Sequence, residues 1–144
     1  HNGAKFRVAG RNASKEFAEF LISNGIDCLG ELESVVDYYA SGTIFVVPLM
    51  SGSGMRVKIV EAMAAGKVVI TTSVGTEGIA TENRRNIFIA DSHADFLACM
   101  EMLASDRNLY NEISAKAREF IRNNYDNNVI ATRLLDFYKE AVVR

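Results

Sequence analysis

Residues 43–72 constrain the fold most, because they read in succession as a strand, a small-residue loop, a helix and a second strand. Residues 43–48 (Thr-Ile-Phe-Val-Val-Pro) form a nearly continuous apolar run, which is typical of a strand covered on both faces in a parallel sheet. Residues 55–65 have helical spacing, Gly66 ends that helix, and residues 68–72 are again apolar and β-branched. This succession predicts a parallel strand–helix–strand unit.

The same alternation continues on both sides of this segment. Strands are predicted at residues 5–10, 26–29 and 86–90, and helices at about residues 14–24 and at 33–40. After Asp91, which with Ser92 is a candidate helix cap, the chain reads as three helices. The pattern predicts an α/β fold: a Rossmann-like, doubly wound parallel sheet of about five strands with a helical C-terminal end. With one proline and no linker-like stretch, residues 1–144 are expected to form a single domain.

Composition argues against several classes of function. Sixteen Lys and Arg residues stand against eighteen Asp and Glu residues, a net charge of −2, so no nucleic-acid partner is expected. The longest unbroken apolar run, residues 44–50, is far shorter than the roughly 20 residues that a membrane-spanning helix needs. Two cysteines are too few for a disulfide framework or a zinc site. Because nothing at the start resembles a signal peptide, we expect a cytoplasmic protein.

A candidate phosphate-binding loop, Ser51-Gly-Ser-Gly54, lies between the strand at residues 43–48 and the helix that follows. The first amides of a helix have no partner within the helix and carry partial positive charge. Glycines let the backbone approach a ligand closely, so the loop suits a phosphate or diphosphate. The segment matches only two glycines of G-x-G-x-x-G and is no P-loop, which argues against NAD. A plain tight turn is the alternative interpretation.

Glu61 is a charged residue on a helix that is otherwise largely apolar. The apolar positions cover nearly all sides of the helix: Val57, Ile59, Val60, Ala62, Met63 and Ala64. The helix is therefore predicted to be buried, and a buried carboxylate needs hydrogen-bond donors. We expect Glu61 to accept hydrogen bonds from ligand hydroxyls at the strand ends. The alternative is a local pair with Lys58, or capping of nearby amides.

These motifs resemble a known family. The run Ser53-Gly-Met-Arg-Val-Lys-Ile-Val-Glu61-Ala-Met-Ala-Ala-Gly66, followed by Val74-Gly-Thr-Glu-Gly-Ile79, is similar to the donor-binding half of group 1 glycosyltransferases of family GT4. The likeness extends from Phe6 to the final helix. It implies the C-terminal half of a GT-B fold, in which two Rossmann-like domains face a cleft. The C-terminal domain binds a nucleotide-sugar and the N-terminal domain binds the acceptor.

The resemblance also implies roles for individual residues. Glu61 matches the second glutamate of the family's E-x7-E motif, which binds the donor ribose, and Ser53 replaces the first glutamate. These two are the candidate catalytic residues, although the Ser53 hydroxyl cannot carry negative charge. The other expected donor-binding residues are Gly52, Gly54, Met55, Arg56 and Val57 near the diphosphate, Gly30, Glu31 and Leu32 near the base, and Glu77 and Gly78 near the sugar.

The activity implied by the resemblance is retaining transfer of a sugar from a UDP- or GDP-type donor to an acceptor glycan or lipid. The resemblance also implies that no metal is needed, and the absence of an Asp-x-Asp triplet agrees with this. No cofactor is expected, since the nucleotide-sugar is a substrate. The alternatives are a non-catalytic nucleotide-binding or assembly module and a sugar-nucleotide epimerase of similar fold. The full enzyme is expected in the cytoplasm, and a position at the inner face of the membrane is the alternative.

The sequence departs from the family's pattern at its start. It lacks the first strand of the donor domain, the following loop with its Arg/Lys pair, and the acceptor domain, so we expect no turnover by these 144 residues alone. In the family's sheet the missing strand lies between the strands at residues 5–10 and 43–48. Its loss leaves two strand edges without partners, so we expect either a shifted sheet or a dimer that fills the gap.

Overall fold

The computed structural model describes residues 3–142. Its elements in chain order are β1 (Arg7–Ala9), α1 (Lys15–Ser23), β2 (Asp27–Gly30), α2 (Val35–Ser41), β3 (Ile44–Val47), α3 (Val57–Ala64), β4 (Val68–Thr71), β5 (Phe88–Ile89), α4 (His93–Ser105), α5 (Arg107–Tyr125) and α6 (Asn127–Val142). A 3₁₀ turn at Val74–Thr76 lies between β4 and β5. This order confirms the predicted α/β class, the five strands and the helical C-terminal end. No helix of residues 3–142 is long and apolar enough to cross a membrane.

The five strands form two parallel sheets rather than one. β1 pairs with β2, and the second sheet has the order β3-β4-β5. Its register places Ile44 beside Val68, and Ile70 beside Phe88. The expectation of a sheet shifted to join the strands near residues 5–10 and 43–48 is therefore wrong. β1 pairs with β2 across α1, and β3 pairs with β4 across α3, whereas the α2 connection joins strands of different sheets.

The chain forms two compact units that divide between Tyr38 and Tyr39, within α2. Whether the two units behave as the single domain expected from the sequence stays a prediction. The first unit contains β1, α1 and β2. The Ser14 side chain caps α1 by accepting a hydrogen bond from the Phe17 amide (3.2 Å), and Leu21 is the buried residue of that helix.

The second unit is built around β4, which is buried at all four positions. One cluster of its buried side chains comprises Val68, Ile70, Phe88, Ala90, Cys99, Leu103, Tyr110 and Ile113. Burial raises the pKa of the Cys99 thiol and of the Tyr110 phenol, and the Tyr110 hydroxyl donates to the Thr43 carbonyl (3.0 Å). The strand expected to be covered on both faces was β3, but only its last residue, Val47, is buried. β3 is less buried because it is an end strand of its sheet.

Helix α3 is buried on one side only, so the expectation of burial nearly all round is wrong. Its inner face consists of Ile59, Ala62 and Met63, which are fully buried, whereas Val57 and Glu61 lie on the exposed face. The helix is apolar as described, but among the described residues it packs mainly against α5 and β4. These two elements cover only its inner face. The helix begins at Val57 instead of residue 55, because the glycine loop continues through Arg56.

The C-terminal end of α3 matches the sequence prediction. Gly66 has φ +72°, and its amide donates to the Met63 carbonyl (2.9 Å) while the Lys67 amide donates to Ala62 (2.9 Å). This is a Schellman motif, which favours glycine at the position with positive φ. The buried Ser114 hydroxyl donates to the Gly66 carbonyl (2.7 Å) and ties the turn to α5.

One-sided burial of α3 predicts unequal costs for two truncations on the same helix. We expect Met63→Ala to lower the free energy of unfolding by about 2–5 kcal/mol, because it leaves a cavity in the core. The matched variant Val57→Ala removes an exposed side chain and is expected to change stability by about 0.5 kcal/mol or less. Denaturant unfolding of both variants measures the difference. Equal large losses would contradict the assignment of the two faces.

Candidate functional site

The candidate site lies where β3 and β4 end. Because these strands are parallel, the loops that follow them emerge at the same edge of the sheet, where open α/β sheets bind their ligands. The first loop, residues 48–56, leads into α3, and the second, residues 72–79, contains the 3₁₀ turn. Both loops belong to the second compact unit.

Two buried threonines at the end of β4 hold these loops in place. The Thr71 hydroxyl donates to the Val47 carbonyl (2.8 Å). The Thr72 hydroxyl donates to the Leu49 carbonyl and accepts from the Gly75 amide (3.2 Å). This role of the two threonines was not predicted from the sequence. Two hydroxyl residues directly after a fully apolar strand were the available signal, since a buried hydroxyl requires a partner.

The glycine loop folds back on Arg56. The Nη1 atom of Arg56 donates to the Ser53 carbonyl (2.9 Å), and the side-chain atoms Nε and Nη2 are buried with no hydrogen-bond partner among residues 3–142. Gly52 has φ +136°, and a Cβ atom built on it would lie 2.1 Å from Nη2. Only glycine at position 52 leaves room for this placement of the guanidinium.

The N-terminal end of α3 is open in the sense that no side-chain hydrogen bond within residues 3–142 caps it. Arg56 occupies the N-cap position with φ −90°, and no side chain of the described residues caps the helix there. The amides at the start of the helix therefore lack a side-chain acceptor while they carry the positive end of the helix dipole. Val57, the first helical residue, is 57% exposed. This geometry is compatible with the predicted approach of an anion.

Glu61 lies one helical turn after Val57 on the same exposed face. The Tyr39 hydroxyl is 3.3 Å from Glu61 Oε2 and 3.2 Å from the Lys58 carbonyl, and it can donate to either oxygen. The ring of Tyr39 packs edge-on against Phe45, with centroids 5.3 Å apart. Among residues 3–142 no ion pair joins Glu61 to Lys58. Sequence reasoning missed Tyr39 as the neighbour of Glu61, because the two are 22 residues apart.

The second loop contacts the first. A Cβ atom on Gly78 would lie 3.4 Å from Met55 Cβ, which is ordinary van der Waals contact. The Tyr125 hydroxyl donates to the Gly78 carbonyl (3.4 Å). Glu77 ends the 3₁₀ turn and its side chain is exposed. The structure thus places two predicted site residues, Met55 and Gly78, close together.

The residues expected near the base lie in the first compact unit. Gly30 ends β2 with φ +65°, and its carbonyl accepts from the Gly10 amide (2.8 Å). Glu31 forms an exposed ion pair with Arg11 (2.7 Å), and Leu32 is partly buried. A base-binding role for Gly30, Glu31 and Leu32 stays a prediction.

The part of the chain that the structure describes contains no group of three or more His, Cys, Asp or Glu side chains placed to hold a metal ion. Cys28 and Cys99 are free thiols. The parallel strands define a Rossmann-like α/β domain, and the helix end and the exposed carboxylate form a candidate ligand site at its strand ends.

The family described as "Glycosyl transferases group 1" matches residues 1–106. The chain therefore belongs to the group 1 glycosyltransferases. The chain is also 30% identical over 96 residues to an uncharacterized 44.6 kDa protein in the cps region of Klebsiella pneumoniae, covering 67% of the chain and 24% of that protein.

Solved structures confirm the GT-B-type fold. Anabaena Alr3699/HepE in complex with UDP matches with a TM-score of 0.81 and 15% identity, over 95% of this chain and 41% of that one. The C-terminal domain of the glycosyl transferase group 1 family protein LpcC from Francisella tularensis matches with a TM-score of 0.62 and 20% identity, over 78% of this chain and 62% of that one. The chain thus spans about a quarter of the Klebsiella protein and less than half of the Anabaena protein.

The contact between Gly75 and Thr71 predicts that the second loop tolerates no larger residue. A Cβ atom on Gly75 would lie 1.9 Å from the buried Thr71 Oγ1. We expect Gly75→Ala to displace that hydroxyl from the Val47 carbonyl and to lower the free energy of unfolding by about 1–3 kcal/mol. Denaturant unfolding measures this loss.

Gly10→Ala is the matched control, since a Cβ at Gly10 meets no atom within 4 Å. Removing the Thr71 side chain beyond Cβ with Thr71→Ala should reduce the cost of Gly75→Ala, because the two positions are in contact. Equal costs of Gly75→Ala in both backgrounds would contradict the steric explanation.

Proposed function

We propose that this chain is the donor-binding domain of a retaining, metal-independent glycosyltransferase of the GT4 type. The observation that carries the proposal is the open N-terminal end of α3, followed one turn later on the same exposed face by Glu61. Membership of the group 1 family and the UDP complex of the Anabaena relative support it.

The spacing of these two features suits a nucleoside diphosphate. Positions i and i+4 of a helix lie about 6 Å apart on one face, so an anion at the helix start leaves the adjoining ribose within reach of Glu61. The amides near Gly54, Met55, Arg56 and Val57 bind the diphosphate. Glu61 accepts hydrogen bonds from the ribose hydroxyls, and in this complex the Tyr39 hydroxyl donates to the Glu61 carboxylate, one of its two possible acceptors.

Sugar transfer breaks the bond between the anomeric carbon and the diphosphate oxygen, and negative charge grows on the departing diphosphate. Amides at a helix end stabilise that charge because they are already oriented toward it. Ser53 and Gly52 lie in the same loop, and we assign the Ser53 hydroxyl a hydrogen bond to the sugar or phosphate. Glu77 and Gly78 frame the sugar from the second loop, which contacts Met55.

The donor in this proposal is of the UDP or GDP type, and the acceptor is a glycan or lipid bound outside these 144 residues. The share of the Anabaena structure that this chain covers, 41%, supports a separate acceptor-binding part. The chain alone is then expected to bind donor without transferring sugar. The two free thiols support a cytoplasmic location, with the inner face of the membrane as an option for the whole enzyme.

Calorimetric titration of the chain with UDP, GDP, ADP and their sugars tests the proposal. We expect one nucleotide series to bind, and Glu61→Ala to weaken that binding roughly tenfold because hydrogen bonds to a charged acceptor are lost. The matched control is Glu101→Ala, which removes an exposed carboxylate from α4 and leaves the affinity unchanged.

Each alternative gives a different result in this experiment. If the wild-type chain binds no nucleotide, the donor-domain proposal is overturned in favour of an assembly module. Conversion of a nucleotide-sugar without any acceptor indicates an epimerase. Sugar transfer by these 144 residues alone would contradict the proposed division between donor and acceptor domains.

We also propose that two copies of the chain associate through strand edges. β3 is an end strand of its sheet, and both strands of the smaller sheet are end strands, which favours pairing with another chain. Sedimentation equilibrium is expected to give about twice the 15.9 kDa mass of one chain. A single species at the monomer mass across the concentration range would refute the association.

A further inference from the structure

Arg56 presents one edge of its guanidinium to a carbonyl and leaves another edge without partners. Nη1 donates to the Ser53 carbonyl (2.9 Å), which anchors the side chain in the loop. Nε and Nη2 are buried and have no hydrogen-bond partner in the described part of the chain. Nε and Nη2 are the adjacent pair that forms the side-on face of a guanidinium, so the unused donors point in parallel.

Charged donors that are buried without an acceptor are rare and destabilising. Arg56 forms none of the ion pairs found among residues 3–142. Residues 51–58 contain two cations, Arg56 and Lys58, and no acidic residue.

We infer that the Arg56 side chain binds an anionic oxygen group of the ligand, and that this group is the diphosphate of the nucleotide donor. The inference rests on the proposed function and adds the Arg56 guanidinium to the backbone amides already assigned there. Two parallel N–H donors match the spacing of two oxygens of a phosphate, which Arg binds in bidentate fashion. A Cβ atom built on Gly52 would lie 2.1 Å from Nη2, so Gly52 lies close to one of these donors. The inferred complex therefore requires the loop at Gly52 to move away from Nη2.

A carboxylate on the transferred sugar, as in a uronic acid donor, is an alternative anion that the Arg56 guanidinium could bind in the same way. The diphosphate is favoured because Arg56 is the N-cap residue of α3, directly beside the amides that would bind the same group. A sugar carboxylate would require the sugar, instead of the diphosphate, to lie at the helix start.

The test compares wild-type chain with Arg56→Met, which keeps an unbranched apolar stem and removes every donor. The probe is whichever of UDP, GDP and ADP the wild-type chain binds, with the corresponding nucleoside as the phosphate-free ligand. We expect Arg56→Met to weaken nucleoside diphosphate binding roughly 10- to 100-fold and to leave nucleoside binding unchanged. Lys67→Gln is the matched control, since it removes one positive charge just before β4, at the opposite end of that strand from the site.

Two further measurements separate ligand binding from a structural role. The ligand-free Arg56→Met chain is expected to melt at the same or a higher temperature, because the variant removes buried unsatisfied donors. In wild-type chain, the Arg56 Nε–H resonance in a ¹H–¹⁵N spectrum is expected to shift on addition of the nucleoside diphosphate but not of the nucleoside.

Equal nucleoside diphosphate affinity of wild-type and Arg56→Met chains would overturn this inference and leave the donor-domain proposal intact. Absence of any nucleotide binding by the wild-type chain would overturn both. If the loss were confined to UDP-glucuronate and spared UDP-glucose, the anion would be a sugar carboxylate and the diphosphate assignment would be wrong. A lower melting temperature with no shift of the Nε–H resonance would make Arg56 a structural residue.

Discussion

The complete burial of β4 determines how the site is held. β4 is covered on both faces and paired on both edges, so the polar residues at its C-terminal end are buried away from water. Each of their polar groups therefore needs a hydrogen-bond partner. Thr71 and Thr72 meet that requirement by donating to the carbonyls of Val47 and Leu49 at the end of the neighbouring strand. The same hydrogen bonds that satisfy the buried threonines therefore fix the start of the glycine loop and, through the Gly75 amide, the second loop.

Helix α3 joins this buried framework to the exposed site. Its 3.6-residue period places Ile59 and Met63 in the core and Val57 and Glu61 on the opposite, exposed face. Burial of the inner face fixes the helix axis, so the positions of the open helix end and of the carboxylate follow from core packing. In the proposed complex, the donor meets groups that are already oriented, which reduces the entropy cost of ordering them on binding.

Much of the fold could be predicted because its signals are local. The alternation of strands and helices, the turns at Asn24-Gly25 and Gly66, and the Ser92 cap depend on residues within a few positions of one another. The one-sided burial of α3 could not be predicted in the same way. The sequence shows that the helix is apolar, but not how many other elements pack against it. The Tyr39–Glu61 contact, like the division into two sheets, depends on tertiary packing that no short motif encodes.

In the proposed complex, the charges along α3 also constrain the orientation of the nucleotide donor. By our proposals, the positive helix end and the Arg56 guanidinium bind the diphosphate at the start of the helix. One turn later the Glu61 carboxylate repels the same anion and favours a hydroxyl donor. A ligand with a diphosphate at one end and hydroxyls at the other is therefore stabilised in one direction and opposed in the reverse one. A glutamate at position 53 would place a second negative charge near the helix start and weaken that asymmetry. The serine found there carries no charge. In the proposed complex, the orientation of the donor therefore depends on the opposite charges of Arg56 and Glu61, which lie on successive turns.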